Sequence, residues 1–319
     1  MNYRILIIYS ISFLLLSIFS SGTRKDNLKK ININDHSFLF AQKVHIRRNF
    51  HSSQMGQLLL SYTTGDRTSL SKHIKEVHNS LYIMHLFTPS GIHLAAIYLV
   101  LLPVLGLIKK RNKKSYHFIL TLTSLLPLLL SGFYSVKRVA MLRAISSLTK
   151  LANFNSSLWW SFIGAFSLDL IFGALIKSPL SFIYSFLFLG AIISVHQAPQ
   201  NHFIIALLGG QFLISFIARG SVNILGVLLG IFATSIFSLL FPILFFYYLF
   251  CRYLPVTVGE WSLSVYFQFI EWLSTHCNYI PPVQSDLYIL ACFVIFFAVP
   301  HQLIKGALIA LLILIHFIS

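Results

Sequence analysis

Residues 81–108, LYIMHLFTPSGIHLAAIYLVLLPVLGLI, form one long apolar stretch interrupted by a polar break. Crossing a bilayer takes about 20 apolar residues, so the stretch is long enough to span. Its first half carries His85, Thr88, Pro89, Ser90, Gly91 and His93. Proline removes a backbone donor and clashes with the preceding turn, and glycine allows angles other residues avoid. A helix is therefore expected to break or kink near Pro89–Gly91. Irregular backbone at membrane depth is tolerated only when buried in protein or lining a wet cavity. Two readings follow: a polar centre in a membrane protein, or a proline kink whose side chains are satisfied locally.

Composition decides the class. The 319 residues are 56% hydrophobic and only 10% charged, with mean hydropathy +0.78. A soluble domain carries roughly 25% charged residues. The expected fold is all-α, a polytopic membrane protein of about 8–10 transmembrane or re-entrant helices with two amphipathic helices. Residues 3–20 follow Arg4 without a clear A-x-A site and read as an uncleaved span, giving an N-terminal transmembrane helix at 1–21. Residues 22–80 read as an extracytoplasmic polar segment, and 81–319 as the polytopic domain. Later spans are expected at 115–132, 157–176, 179–197, 202–218, 286–300 and 302–318. The apolar run at 221–250 is too long for one upright crossing. Asn223, Gly226, Gly230, Ser235 and Pro242 interrupt it, so it reads as a broken or re-entrant segment followed by a span.

Charge sets the orientation. KKRNKK at 109–114 is the densest basic cluster and lies in a short loop. The positive-inside rule makes it cytoplasmic and leaves 22–80 outside. Lys177 and Arg219 fall at alternate span ends, in agreement. The 22–80 segment holds ten Lys and Arg against four acids, with His36, His45, His51, His73 and His78. Alternating apolar residues around Ser37–Val44 predict a strand or two. Asp66 reads as a helix cap or a local partner of Arg67.

Two stretches have helical amphipathic spacing. After SGF comes YSVKRVAMLRAISSLTKLANFNSS, where Met141, Ile145, Leu148 and Ala152 repeat on one face. Arg143, Ser147 and Lys150 lie on another, with Lys137 and Arg138 at the start. The helix is either interfacial, holding lipid phosphates, or a basic wall beside a polar path. Asp169 lies inside the next span, and an intramembrane acid usually faces a cavity or a basic partner. At 258–275, Glu260, Ser264, Gln268, Glu271 and Thr275 form a polar stripe, and Trp261, Val265, Phe269 and Trp272 an apolar one.

Catalytic and metal motifs are sparse. No GxSxG surrounds Ser90, and a Ser–His pair three residues apart is not in itself a triad. His85 and His93 lack metal-ligand spacing, as do Cys251, Cys277 and Cys292. There is no Walker A motif. No cofactor, metal or enzymatic activity is expected. Lys and Arg outnumber Asp and Glu by 24 to 8, which suits an anionic partner, either lipid headgroups or nucleic acid.

Three blocks occur in a distinctive order: TTGDRTSLS, then HLFTPSGIHL, then SGFYSVKRVAML. Together they resemble the core of the ComEC competence family, whose membrane domain reads LLLGDRS, then HLLAISGLHV, then a TG followed by an RA-x-x-M element. IKSPLSF at 176–182 and NILGVLLG at 223–230 are similar to later family elements, so the likeness covers about residues 56–250. The SGIHL block is its specific part. The resemblance implies an inner-membrane channel that passes single-stranded DNA into the cytoplasm during natural transformation. It carries Gly65, Asp66 and Arg67 from the first block; His85, Ser90, Gly91 and His93 from the second; Gly132 and Arg138 from the third. Lys137, Arg143 and Asp169 join them from the charge pattern. Its partners would be single-stranded DNA and membrane lipids, with room for a DNA receptor, a separate nuclease and a cytoplasmic ATPase.

The sequence also departs from that family. Only 22–55 is available for an OB-like extracytoplasmic region, no HxHxDH nuclease motif occurs, and the SFQLS-type element is IYSFLFL. Single-stranded DNA needs a wet basic groove with ring faces for stacking. Lys137, Arg138 and Arg143, with some of the 30 Phe and 14 Tyr, could supply one. The alternative class is a small-solute or lipid-linked-substrate transporter with a broken-helix site. A third is an assembly protein with no transport path.

Overall fold

Apolar runs bounded by Ser, Asn, Asp, Gly and Pro become helices throughout. The computed structural model describes residues 3–20, 38–129, 133–154 and 156–318. These form α1 (Tyr3–Ser20), α2 (Phe38–Asn49), α3 (Ser53–Thr64), α4 (Lys72–Ser80), α5 (Gly91–Arg111), α6 (Lys113–Leu125), α7 (Tyr134–Leu151), α8 (Leu158–Ile171), α9 (Ala174–Lys177), α10 (Pro179–Val195), α11 (Gln200–Ile217), α12 (Ile224–Phe250), α13 (Val256–His276), α14 (Leu287–Ala298) and α15 (Gln302–Ile318). A two-residue strand, β1 (Ser221–Val222), pairs antiparallel with β2 (Val283–Gln284). The protein is all-helical apart from that pair, among the described residues. α5 and α12 are long and apolar enough to cross a membrane, and α1, α8, α10, α11, α14 and α15 are shorter apolar helices.

The chain divides into two units. One holds α1, α8–α11, α14, α15 and the strand pair; the other holds α2–α7, α12 from Leu225 onward, and α13.

In the first unit α1 is a packed element. Ile5 and Ile8 are fully buried, and the Tyr9 hydroxyl donates to the Ala206 carbonyl at 2.7 Å. Helix α1 approaches α10 and α8 closely at Gly190. A Cβ there would stand 2.6 Å from Ile8 Cδ1 and 2.9 Å from Phe162 Cζ. Asp286 starts α14 by accepting from the Ile289 amide at 2.9 Å, and Pro179 occupies the first turn of α10.

In the second unit the described part of the polar segment, from Phe38 on, is largely helical. The strand expected near 37–44 is absent: from Phe38 the chain is α2, running to Asn49. Two-residue alternation over a few positions cannot compete with a full amphipathic turn that has α3 to pack against. Ser52 caps α3 through the Met55 amide, and Ser71 caps α4 through Ile74, each at 3.3 Å. Leu58, Leu59, Leu60 and Tyr62 of α3 are buried with Ile74 of α4, Phe237 and Phe241 of α12, and Leu263 and Ile270 of α13.

Helix α12 corrects a second expectation. Residues 224–250 form one continuous helix of 27 residues through Gly226, Gly230 and Pro242. At 1.5 Å per residue it is about 40 Å long. Gly230 is there for contact rather than for a break. A Cβ would fall 1.9 Å from the Leu81 carbonyl oxygen.

The two amphipathic helices also bury other faces than expected. Helix α13 buries Leu263, Tyr266, Phe267, Ile270 and Leu273, while Trp261 is 70% and Trp272 57% exposed. It is apolar on two sides, and its acids turn to the polar segment. Glu260 accepts from the Ser52 amide at 2.7 Å and meets His51 at 3.1 Å; Glu271 meets His73 at 2.6 Å. Helix α7 buries Val136, Arg138, Ala140, Met141, Ala144 and Ser147 against α5 and α6, and leaves Leu148 exposed. Met141 of the expected apolar face is buried, as is Leu142, whereas Leu148 is not, so small and large residues share the packed face.

Candidate functional site

The break at 81–91 is built as a cap. Met84–Phe87 is one 3-10 turn, Thr88 and Ser90 are extended, and α5 begins at Gly91. His93 stands at the third helical position and turns back on the start of the helix. Its Nδ1 accepts from the Ser90 amide at 3.1 Å and from the Ser90 hydroxyl at 3.0 Å. Nε2–H donates to the Leu86 carbonyl at 3.2 Å. Both ring nitrogens are used, and the imidazole is closed in by the rings of Phe237 and Phe241, with centroids 5.3 and 4.5 Å away. This is a reciprocal N-terminal cap in which an imidazole stands where Glu or Gln usually does. Of the two readings left open by the sequence, the locally satisfied break is the one built here. The His85 side chain is exposed, and its Nδ1 lies 3.2 Å from the Tyr82 carbonyl.

The first sequence block closes over this cap. Gly65 ends α3 in the left-handed region at φ +78°, and its amide donates to Ser61 at 3.1 Å. A Cβ on Gly65 would lie 3.0 Å from Pro89 Cδ. Arg67 Nε donates to the Phe87 carbonyl at 3.4 Å. Asp66 looks to its own loop and to α2. It accepts from the Thr68 hydroxyl at 2.6 Å, pairs with Lys43, and meets Arg47 at 3.2 Å. Partial burial pushes the Asp66 carboxyl up, but the hydrogen bonds from Lys43 and Thr68 outweigh it. The net result is a fall from 3.8 to about 2.

The third block packs on the other side. A Cβ on Gly91 would stand 2.3 Å from Val139 Cγ2, so α5 and α7 touch through a residue with no side chain. One turn further on, Arg143 lays its guanidinium over the Tyr98 ring, 3.8 Å from the centroid. The Tyr98 hydroxyl continues the link to α6, with Thr123 Oγ1 at 2.9 Å and Ser124 Oγ at 3.2 Å. Arg138 is fully buried, whereas Lys137 is half-buried. Gly132 lies outside the described residues.

Three segments spread over residues 65–143 are thus joined in one unit through Gly65–Pro89, Arg67–Phe87, Gly91–Val139 and Arg143–Tyr98. Asp169 belongs to the other unit, where α8 buries it to 5% exposure. Among the described residues, no group of three or more His, Cys, Asp or Glu is placed to hold a metal.

One pair at the centre of this unit was not singled out from the sequence. The Tyr62 hydroxyl and His78 Nε2 are 2.6 Å apart, and His78 Nδ1–H donates to the Ile74 carbonyl at 2.7 Å. The imidazole is therefore the Nδ1–H tautomer and accepts from tyrosine. Phe87 stacks on Tyr62 at 5.6 Å and lies 4.2 Å from the His78 ring. The only sequence signal is a tyrosine in an apolar run 16 positions before a histidine, which carries no motif.

Comparison with protein-family models gave no match, and comparisons with curated proteins and with solved structures gave no significant match.

Proposed function

We propose that the chain is a multi-pass protein of the cytoplasmic membrane that passes single-stranded DNA inward, with residues 22–80 outside and KKRNKK at 109–114 in the cytoplasm. The observation that carries this reading is the joining of the GDR, SGIH and KR blocks in one unit. In their order along the chain these blocks resemble the core of the ComEC competence family. Two long apolar helices, several shorter ones and the exposed apolar side chains of α5, α12 and α13 support the membrane setting. The net charge of +16 and the basic start of α7 suit a polyanion. In this reading the caps and glycine contacts make a rigid frame, and Lys137, half-buried at the start of α7 beside the SGIH block, is a cation that a phosphate can reach.

The test is protected uptake of labelled DNA in a strain lacking the gene, with and without the gene restored. Loss of uptake on deletion and recovery on restoration is the expected result. Equal uptake in all three strains overturns the DNA reading. Opposite signals from topology reporters fused at Ser53 and Asn112, with Asn112 inside, are expected; identical or reversed signals overturn the orientation.

A further inference from the structure

A second polar site lies in the unit of α1, α8–α11, α14 and α15. A cavity of about 290 Å³ is lined by His202, Phe296, Phe297, Pro300, Gln302 and Lys305, among others. Lys305 is 8% exposed, unusual for a residue that seldom leaves water without a counter-charge. Its ammonium lies over the Phe296 ring, 4.7 Å from the centroid. No carboxylate or hydrogen-bond acceptor reaches that nitrogen among the described residues.

The surrounding backbone adds to the positive end. His202 is in the first turn of α11, which begins after Pro199 with no side-chain cap. Gln302 opens α15. Two helix N-termini therefore border the cavity, where unsatisfied amides and the helix dipole favour negative charge. His202 lies beside the Phe296 ring at 5.1 Å, and its Nδ1 is 3.0 Å from Asn201 Oδ1. With Nδ1–H given to Asn201, Nε2 is the remaining position. An anion bound at Lys305 offsets the repulsion between that ammonium and a protonated His202, so that the doubly protonated ring can donate its Nε2–H to it. Val299, which ends α14, also lines the cavity.

We propose that this cavity binds the phosphate of an anionic phospholipid, with Lys305 as the principal cation and His202 as the second. The occupant is a phosphate-bearing anion, and the rings of Phe296 and Phe297 with Pro300 provide an apolar flank for its chains. Its source as a lipid rests on the membrane reading above; the phosphate chemistry does not, and the measurement involves no DNA.

The experiment uses the full chain in dodecyl maltoside, with binding read by native mass spectrometry and by the shift in melting temperature. The probes are phosphatidylglycerol, phosphatidylcholine and inorganic phosphate. Phosphatidylglycerol is expected to bind and to raise the melting temperature more than phosphatidylcholine. Lys305→Met keeps the stem but not the charge and should weaken phosphatidylglycerol binding by about tenfold, as loss of a charge-assisted hydrogen bond does. Lys305→Arg should restore most of it. Inorganic phosphate producing the same Lys305-dependent shift would support the site and assign a free anion as its source. Equal phosphatidylglycerol affinity in the wild type and Lys305→Met overturns the proposal, as does equal binding of the two lipids. If Lys305→Met does not accumulate, His202→Gln decides: weaker phosphatidylglycerol binding supports the site, and unchanged binding overturns it.

Discussion

The Tyr62 hydroxyl donates to His78 Nε2 across 2.6 Å, and neither residue has any solvent-exposed surface. Burial brings the imidazole from 6.5 down to about 4, against a smaller opposing effect of its bond to the Ile74 carbonyl. The unfolded chain binds this proton near pH 6.5, and the folded chain does not until about pH 4. Stability is therefore complete above pH 6.5 and falls as pH drops toward 4, by roughly 3 kcal/mol at most. His78→Phe should flatten the melting temperature across that window. Tyr62→Phe leaves the acceptor unmet and should cost about 1–3 kcal/mol at pH 7. A melting temperature that is equally pH-dependent with and without His78 would contradict the assignment.

Gly91 and Val139 make the closest constraint between α5 and α7. Gly91→Ala must displace Val139 Cγ2, and overpacking of this kind costs typically about 1–3 kcal/mol. Val139→Ala should relieve part of that cost, so the double variant should melt higher than Gly91→Ala alone. Simple additivity of the two losses would mean that the contact is not what excludes a side chain at Gly91.

Two glycines mark what could be read in the sequence. Gly65 and Gly91 each sit where a helix must end or begin beside another segment, so the punctuation of the chain revealed the joints. The faces were harder. Helix α13 carries large apolar residues on two sides, and spacing alone did not say that Leu263, Tyr266 and Ile270 turn inward while Trp261 and Trp272 turn out. In α12, glycines that look like interruptions are contacts, Gly230 with the Leu81 carbonyl being the clearest. The polar break around His93 was visible as composition. Its closure depends on a ring-nitrogen hydrogen bond three residues back and on Phe237 and Phe241, more than 140 positions away.

Asp66 holds α2 to the loop after α3 through Lys43 and Arg47. Its depressed pKa contributes stability that is present above the ordinary carboxylate value and is lost as pH falls from about 4 through about 2. Solvent screening keeps the contribution near 1 kcal/mol. Asp66→Asn should lower the melting temperature slightly at pH 7 and by much less at pH 2. A loss of the same size at both pH values would place the effect outside the ion pair.

Lys137 and Arg138 are adjacent on α7 and should behave differently. Arg138 is 0% exposed, and removing a buried guanidinium disturbs packing and hydrogen bonding before it can affect any passing ligand. Arg138→Gln should therefore reduce the amount of protein in the membrane while uptake per inserted molecule stays the same. Lys137 is only half-buried, and phosphate contacts are electrostatic and largely independent of base sequence. Lys137→Gln should leave the protein level unchanged and lower DNA uptake by roughly three- to tenfold for every sequence tested. Lys137→Arg should retain most of the uptake, because a single phosphate oxygen can be met by either cation. Quantifying inserted protein beside labelled DNA uptake separates the two residues. Normal uptake in Lys137→Gln, together with lowered uptake per molecule in Arg138→Gln, would reverse the assignment and require α7 to expose its arginine during transport.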